Sequence, residues 1–343
     1  MSQTNQPDAD SDCSAVDDAR PAVHRLEVSV DWPPGHAAAY LLAGAEPILV
    51  DAGMPGERGR EELLAALEGH GYAPDDIDHL LLTHSHTDHV GQTGMLLEAG
   101  DPTVYAPKRI RARFERDLET VEAATRRNLV EAGVGDRYLD DAVERLLEAH
   151  ESNRDPLPLE GVDRWIDGDD RVEIGGREVE PIYTPGHHVA HHCYGTTLGD
   201  ERVLFAGDMA IDPFRSAAIN VNFDDGVREG VDAYLDGLER LHGYSFDRVY
   251  PGHGPVHTNY AETVERSITD LEDRIEGCFE ALEAREGPAT ATAIGDDVTD
   301  SFSERARVLP EIVSALARLE REGRVESWLE EGVRYYGSLD RSQ

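Results

Sequence analysis

Lysine is almost missing from this chain: Lys108 is the only one among 32 basic residues, set against 70 acidic ones. Cysteine is nearly as scarce, with Cys13, Cys193 and Cys278 far apart and outside any ligand-like spacing. That excludes a thiolate cage and the soft donors that select copper or an iron–sulfur cluster. No apolar run approaches the ~20 residues needed to span a bilayer. Residues 1–20 carry no hydrophobic signal segment and no twin arginine, so a cytoplasmic protein with no membrane partner is expected. A G-x-S-x-G nucleophile elbow and a G-x-x-x-x-G-K-[ST] phosphate loop are also lacking, which removes serine-nucleophile and P-loop chemistry.

The formal charge of −38 on 343 residues resembles that of proteins from salt-in halophiles, where a charged, hydrated surface keeps proteins soluble. On that reading the acidity reflects habitat rather than ligand. At molar salt the Debye length falls to ~3 Å, so the acidic surface does not exclude an anionic substrate. Asp8, Asp10, Asp12, Asp17 and Asp18 mark residues 1–20 as a disordered acidic tail.

What the chain does have is Thr83-His84-Ser85-His86-Thr87-Asp88-His89, three imidazoles and a carboxylate directly after the apolar run at 77–82. A strand ending there brings to one sheet edge more donors than one ion needs. Imidazole and carboxylate suit zinc first, then iron or manganese. Further donors stand at other strand ends beside glycine: His187 in Thr184-Pro185-Gly186-His187, Asp208 in Ala206-Gly207-Asp208, and His253 in Pro251-Gly252-His253. Asp51, in Val50-Asp51-Ala52-Gly53, is either a turn former or a residue that orients a ligand. Isolated histidines (His24, His36, His70, His79, His150 and His242) read as solvated.

These elements, in this order over roughly residues 21–258, resemble the metallo-β-lactamase fold superfamily, especially its glyoxalase II-like members. The resemblance implies a pair of divalent ions. His84, His86 and His187 would hold one, Asp88, His89 and His253 the other, and Asp208 would bridge them. His191 falls where the family pattern has a second histidine and reads as a hydrogen-bonding support, while His188 and His192 stay unassigned.

Two ions ~3.5–4 Å apart acidify a shared water and polarise a carbonyl or phosphoryl oxygen, with Asp88 as the catalytic carboxylate that orients the nucleophile or moves its proton. The implied function is hydrolysis of a small ester, thioester or lactone. The alternatives are a nuclease acting on RNA or DNA phosphodiesters, or a DNA-binding regulator with a vestigial metal site.

Strand-like segments at 25–30, 38–42 and 47–50, a helix near 57–68 and a helix starting at 91–99 fit an α+β, four-layer αββα sandwich. Gly175-Gly176 reads as a hairpin turn. A helical insertion at about 107–160 holds seven basic residues against four acidic ones over 108–127. These pair along helix surfaces, or else form a lid in which Arg111 and Arg113 meet an anionic substrate group. Residues 259–343 read as a helix, a short helix, a second helix near 303–322 and a closing hairpin, which resembles a small winged-helix domain. With twenty acids and ten bases over 260–343, a structural or dimerising role that also walls the active site is expected rather than nucleic-acid binding.

Overall fold

The computed structural model describes residues 22–168 and 170–339, so the expected tail at 1–20 lies outside the described residues. Strands β1 (Val23–Ser29), β2 (His36–Leu42) and β3 (Ile48–Val50) lead through helix α1 (Gly56–Gly69) to β4 (His79–Leu81). The one-turn α2 (Thr87–Val90) and α3 (Thr93–Gly100) follow, then β5 (Thr103–Pro107). The expected insertion is three helices, α4 (Lys108–Phe114), α5 (Leu118–Glu131) and α6 (Asp136–Arg154), before β6 (Arg164–Ile166). Six strands then form a first sheet in sequential order, antiparallel from β1 to β3 and parallel from β3 to β6.

The second sheet contains β7 (Val172–Ile174), β8 (Arg177–Tyr183), β9 (His192–Leu198) and β10 (Glu201–Gly207), then α7 (Gly230–His242) and β11 (Arg248–Pro251), in the order β11-β10-β9-β8-β7. The turn at Gly175-Gly176 joins β7 to β8 as expected. The C-terminal segment is α8 (Tyr260–Glu283), α9 (Ala291–Val298), α10 (Phe302–Arg321) and the hairpin β12 (Val325–Glu330) and β13 (Val333–Ser338).

Period-two alternation with both faces apolar dictates the layers. In β2, Ala38, Tyr40 and Leu42 enter the cluster between the sheets, while Ala37, Ala39 and Leu41 pack outward with Leu63 and Leu67 of α1. In β10, Phe205 faces inward beside Tyr40 and Tyr250, while Leu204 and Ala206 face α7, α8 and α10. Three apolar clusters between four layers make the αββα sandwich.

The C-terminal helices belong to this sandwich. Val264 and Leu271 of α8 and Ile312 and Leu316 of α10 share one continuous core with Leu204 and Val249 of the second sheet. Helix α10 is buried on all sides from Val308 to Ala317, as a helix enclosed by other elements must be. Among the described residues no helix is long and apolar enough to cross a membrane.

Candidate metal centre

Strand direction decides where the donors meet. In the first sheet β3 and β4 run parallel. In the second, β8 and β10 are each antiparallel to β9, and β11 is parallel to β10. The segments after β4, β8, β10 and β11 all leave carboxyl ends, and their donors converge at one rim.

Two groups of donor atoms form there, each with its atoms within 4.8 Å of one another: His84, His86, His187 and Asp208, and Asp88, His89 and His253. In the first, His86 Nδ1 lies 3.0 Å from His84 Nε2 and 2.9 Å from His187 Nε2. Asp208 touches both groups, through Oδ2 to His187 at 3.1 Å and His253 at 3.4 Å, and through Oδ1 to His89 at 3.2 Å. Asp88 Oδ2 sits 3.3 Å from His253 Nε2. All seven residues expected from the sequence are therefore brought together.

The ring orientations are fixed from behind. His89 Nδ1 donates to Asp51 Oδ2 at 2.8 Å, His187 Nδ1 to the Ala217 carbonyl at 3.1 Å and His253 Nδ1 to the His36 carbonyl at 2.6 Å. His84 Nδ1 lies 3.0 Å from the Thr83 hydroxyl, which in turn donates to Asp51. Four rings thus keep Nε2 for the centre, while His86 presents Nδ1. Asp51 thus holds the His89 ring directly and the His84 ring through Thr83, at φ 62° in the left-handed region that Asp tolerates better than most. Gly252 lets strand β11 close on the centre, since a Cβ there would stand 2.6 Å from His89 Cε1 and 2.7 Å from Asp208 Oδ1.

Burial and charge pull the groups apart. Desolvation, then the neighbouring imidazoles, holds His84 well below the usual histidine range, and desolvation with His187 takes His86 down to about 3. Burial also works against charge on His253, yet Asp208 and Asp88 raise it to about 10. His89 is raised in the same way, against burial, by Asp208, Asp88 and Asp51. Burial opposes ionisation of Asp208 too, but His253, His89 and His187 keep it well below the usual carboxylate range.

The donor set fits a pair of divalent cations. His89 Nε2 and Asp208 Oδ1 are buried and stand 3.2 Å apart, yet among the described residues neither makes a hydrogen bond, and three ring nitrogens of the first group face one another about a hydrogen-bond length apart. Positive charge placed among them satisfies both features.

The neighbouring histidines divide as follows. His191 accepts from the Asp208 backbone N–H at 3.0 Å and contacts the Thr184 hydroxyl at 2.8 Å, the supporting place expected of it. His188 lies 3.4 Å from the Ser85 hydroxyl, and His192 Nδ1 donates to the Ala190 carbonyl. Three isolated histidines depart from the solvated reading: His150 is buried edge-on against Phe114, His36 accepts from Gly254 N–H beside His253, and His79 packs against Tyr105 with its ring nitrogens buried.

The lid reading of Arg111 and Arg113 is corrected. Arg111 pairs with Glu115 four residues on, and Arg113 is only partly exposed, donating to the Val221 carbonyl. Asp224, a buried carboxylate, draws Arg116 and Arg113 to itself, so these arginines fasten the insertion to the loop before α7. The insertion reaches the centre through Asn153 instead, whose Oδ1 accepts from Thr87 N–H at 2.9 Å at the start of α2. Neither Asn153 nor Thr83 carries a sequence signal, because their partners lie on other elements.

Five of the donors, His86, Asp88, His187, Asp208 and His253, floor a cleft of about 540 Å³, with His84 and His89 buried behind them. Trp32 and Pro33 of the β1–β2 loop and Phe214 and Ile219 of the segment after β10 line it, and α8 and α10 add Arg274, Arg307 and Glu311.

Comparison with known proteins agrees with this geometry. Residues 32–253 match the family model of the metallo-beta-lactamase superfamily. A beta-lactamase-like protein 2 homolog of Caenorhabditis elegans is 25% identical over 84% of this chain and 80% of its own length. An atrochrysone carboxyl ACP thioesterase of Aspergillus fumigatus is 26% identical over 67% of this chain, which spans only 54% of that protein. The crystal structure of a metallo-beta-lactamase family protein of Thermus thermophilus superposes with a TM-score of 0.76 at 24% identity, over 92% of this chain and 98% of that one. The chain belongs to the metallo-beta-lactamase superfamily and is a hydrolase of that fold.

Proposed function

We propose that the protein hydrolyses a small thioester or related carboxylic ester with the help of two divalent metal ions, zinc fitting the donors best. The observation that carries this reading is the convergence of seven donors at one rim, with His89 Nε2 and Asp208 Oδ1 buried 3.2 Å apart and neither making a hydrogen bond among the described residues. His84, His86 and His187 would hold one ion and Asp88, His89 and His253 the other, with Asp208 reaching both. When bound, such a pair supplies a water acidified toward neutral pH and a Lewis acid for the carbonyl oxygen.

The chain's own residues do the rest. Asp88 lines the cleft and touches His253, so its carboxylate is placed to orient a water and to carry its proton toward the leaving group. Asp51 and Thr83 fix His89 and His84 from behind, which limits reorganisation during turnover. Trp32, Phe214 and Ile219 provide an apolar wall for the acyl or thiol portion and exclude bulk water from one side. The thioesterase name of a relative supports choosing a thioester, and burial of α10 weighs against a nucleic-acid role for the C-terminal helices.

The test is turnover by the metal-loaded protein on thioesters, lactones, phosphodiesters and RNA, with His86→Ala as control. Thioester cleavage that disappears in His86→Ala is expected. Cleavage of phosphodiesters alone would replace this reading with the nuclease one.

A further inference from the structure

The cleft wall supplied by the C-terminal helices has an unusual charge for this chain. Apart from Asp208 of the metal-binding floor, α8, α10 and the segment after β10 bring five charged residues to it, and three are arginines: Arg215, Arg274 and Arg307. The two carboxylates are already engaged. Glu311, buried, accepts from Arg215 at 2.9 and 3.0 Å and from the Ala218 backbone at 2.7 Å, and it stands 3.5 Å from Arg274. Glu304 accepts from the Asp300 backbone and stands 3.9 Å from Arg274. Arg307 shares a helix face with Glu304 and Glu311, three residues after one and four before the other, yet it pairs with neither. Among the described residues it has no carboxylate partner. Arg307 is exposed and lines the cleft, so its guanidinium is available to a ligand there. A second donor is also unused: Arg215 Nε is buried there without a hydrogen-bond partner among the described residues.

We propose that this wall is a subsite for an oxyanion, a carboxylate or phosphate that the thioester carries away from its scissile bond, with Arg307 as the selecting contact and Arg274 beside it. The proposal rests on the thioester reading and adds the class of substrate to it. The buried Arg215–Glu311 pair joins α10 to the segment after β10 and keeps the wall in place. Guanidinium groups suit such a ligand because they stay charged and offer parallel N–H donors to two oxygens. A cleft of about 540 Å³ has room for a ligand that reaches from the metal-binding floor to this wall. The arginines that line the cleft stand on the C-terminal helices and the segment after β10, while Arg113 and Arg116 of the basic insertion anchor it to Asp224.

The test compares wild type, Arg307→Glu and Arg307→Lys. Arg307 is exposed and unpaired, so its replacement leaves packing undisturbed. The kcat/KM values are measured for three thioesters: one neutral, one with a carboxylate on the acyl side and one with a phosphate on the thiol side. The expected result is an anionic-over-neutral preference that falls about tenfold or more in Arg307→Glu, mainly through KM, and is largely kept in Arg307→Lys. Whichever anionic thioester responds identifies the source of the oxyanion. In parallel, binding of inorganic pyrophosphate to the chelated full-length protein is followed by calorimetry and should weaken by a similar factor in Arg307→Glu. An unchanged preference with all thioesters cleaved would overturn the subsite and leave the hydrolase reading standing. Should wild type cleave no thioester, that reading fails by itself, and the calorimetry decides: pyrophosphate binding undiminished in Arg307→Glu, or absent from wild type, overturns the subsite.

Discussion

Asp51→Asn separates positioning of the metal site from stability of the fold. The Asp51 carboxylate is 3% exposed. It accepts from Thr83 N–H at 2.8 Å, from the Thr83 hydroxyl at 2.8 and 3.0 Å, and from His89 Nδ1 at 2.8 Å. Alanine would strand three buried donors at ~1–3 kcal/mol each, a large share of the ~5–15 kcal/mol that holds a typical domain folded. Asparagine keeps an oxygen for Thr83 but turns an NH₂ toward His89. That amide either opposes the Nδ1–H or forces the ring proton onto Nε2, the atom 3.2 Å from Asp208. Losing one charge-assisted hydrogen bond costs ~1.5–3 kcal/mol, in line with the ~10–100-fold loss of metal affinity typical when a ligand's outer partner is changed. The assay is metal content by mass spectrometry after dialysis against a series of buffered chelator concentrations, with thermal melting of the stripped protein alongside. The variant should fold, keep one equivalent like wild type and release the other at ~10–100-fold weaker chelation. Retention of both equivalents with wild-type affinity would refute the reasoning.

Three further outcomes follow from the same geometry. Gly252→Ala should abolish binding of one or both ions while the protein still melts cooperatively, because its Cβ would intrude on His89 and Asp208; a normal metal content would contradict this. Glu311 is opposed by burial but depressed below its ordinary 4.5 by Arg215. A depressed carboxylate contributes stability that is present above about 4.5 and lost as pH falls through its folded-state value. Melting temperature should therefore drop more steeply below pH 4.5 in wild type than in Glu311→Gln, and parallel curves would sink the idea. With a net charge of −38, self-repulsion should make melting temperature rise with KCl; equal melting in low and molar KCl would count against that.

The donors were readable because they cluster in short segments just past strand ends, from Asp208 directly after β10 to His89 eight residues past β4, where local pattern carries the information. Strand β9 was not readable. Gly195 breaks the strand pattern of His192–Leu198, but Phe246 packs so close to it that a Cβ there would stand 2.9 Å from its ring, so tertiary contact decides. Helix α2 is too short for periodicity to reveal, although it holds Asp88 and His89. The supporting contacts were hidden by separation along the chain: Thr87 meets Asn153 across 66 residues and Arg215 meets Glu311 across 96. His150 sits in a polar stretch that suggests exposure, yet the insertion folds it against Phe114. Arg113 likewise looks like a surface charge until Asp224 and the Val221 carbonyl draw it inward.

The most direct test of the two-metal hydrolase reading is the number of metal equivalents that restores thioester hydrolysis to the chelated protein. The account predicts that activity returns in full at two equivalents of zinc per chain and is absent from the stripped protein. Full hydrolysis without metal, or saturation at a single equivalent, would contradict it.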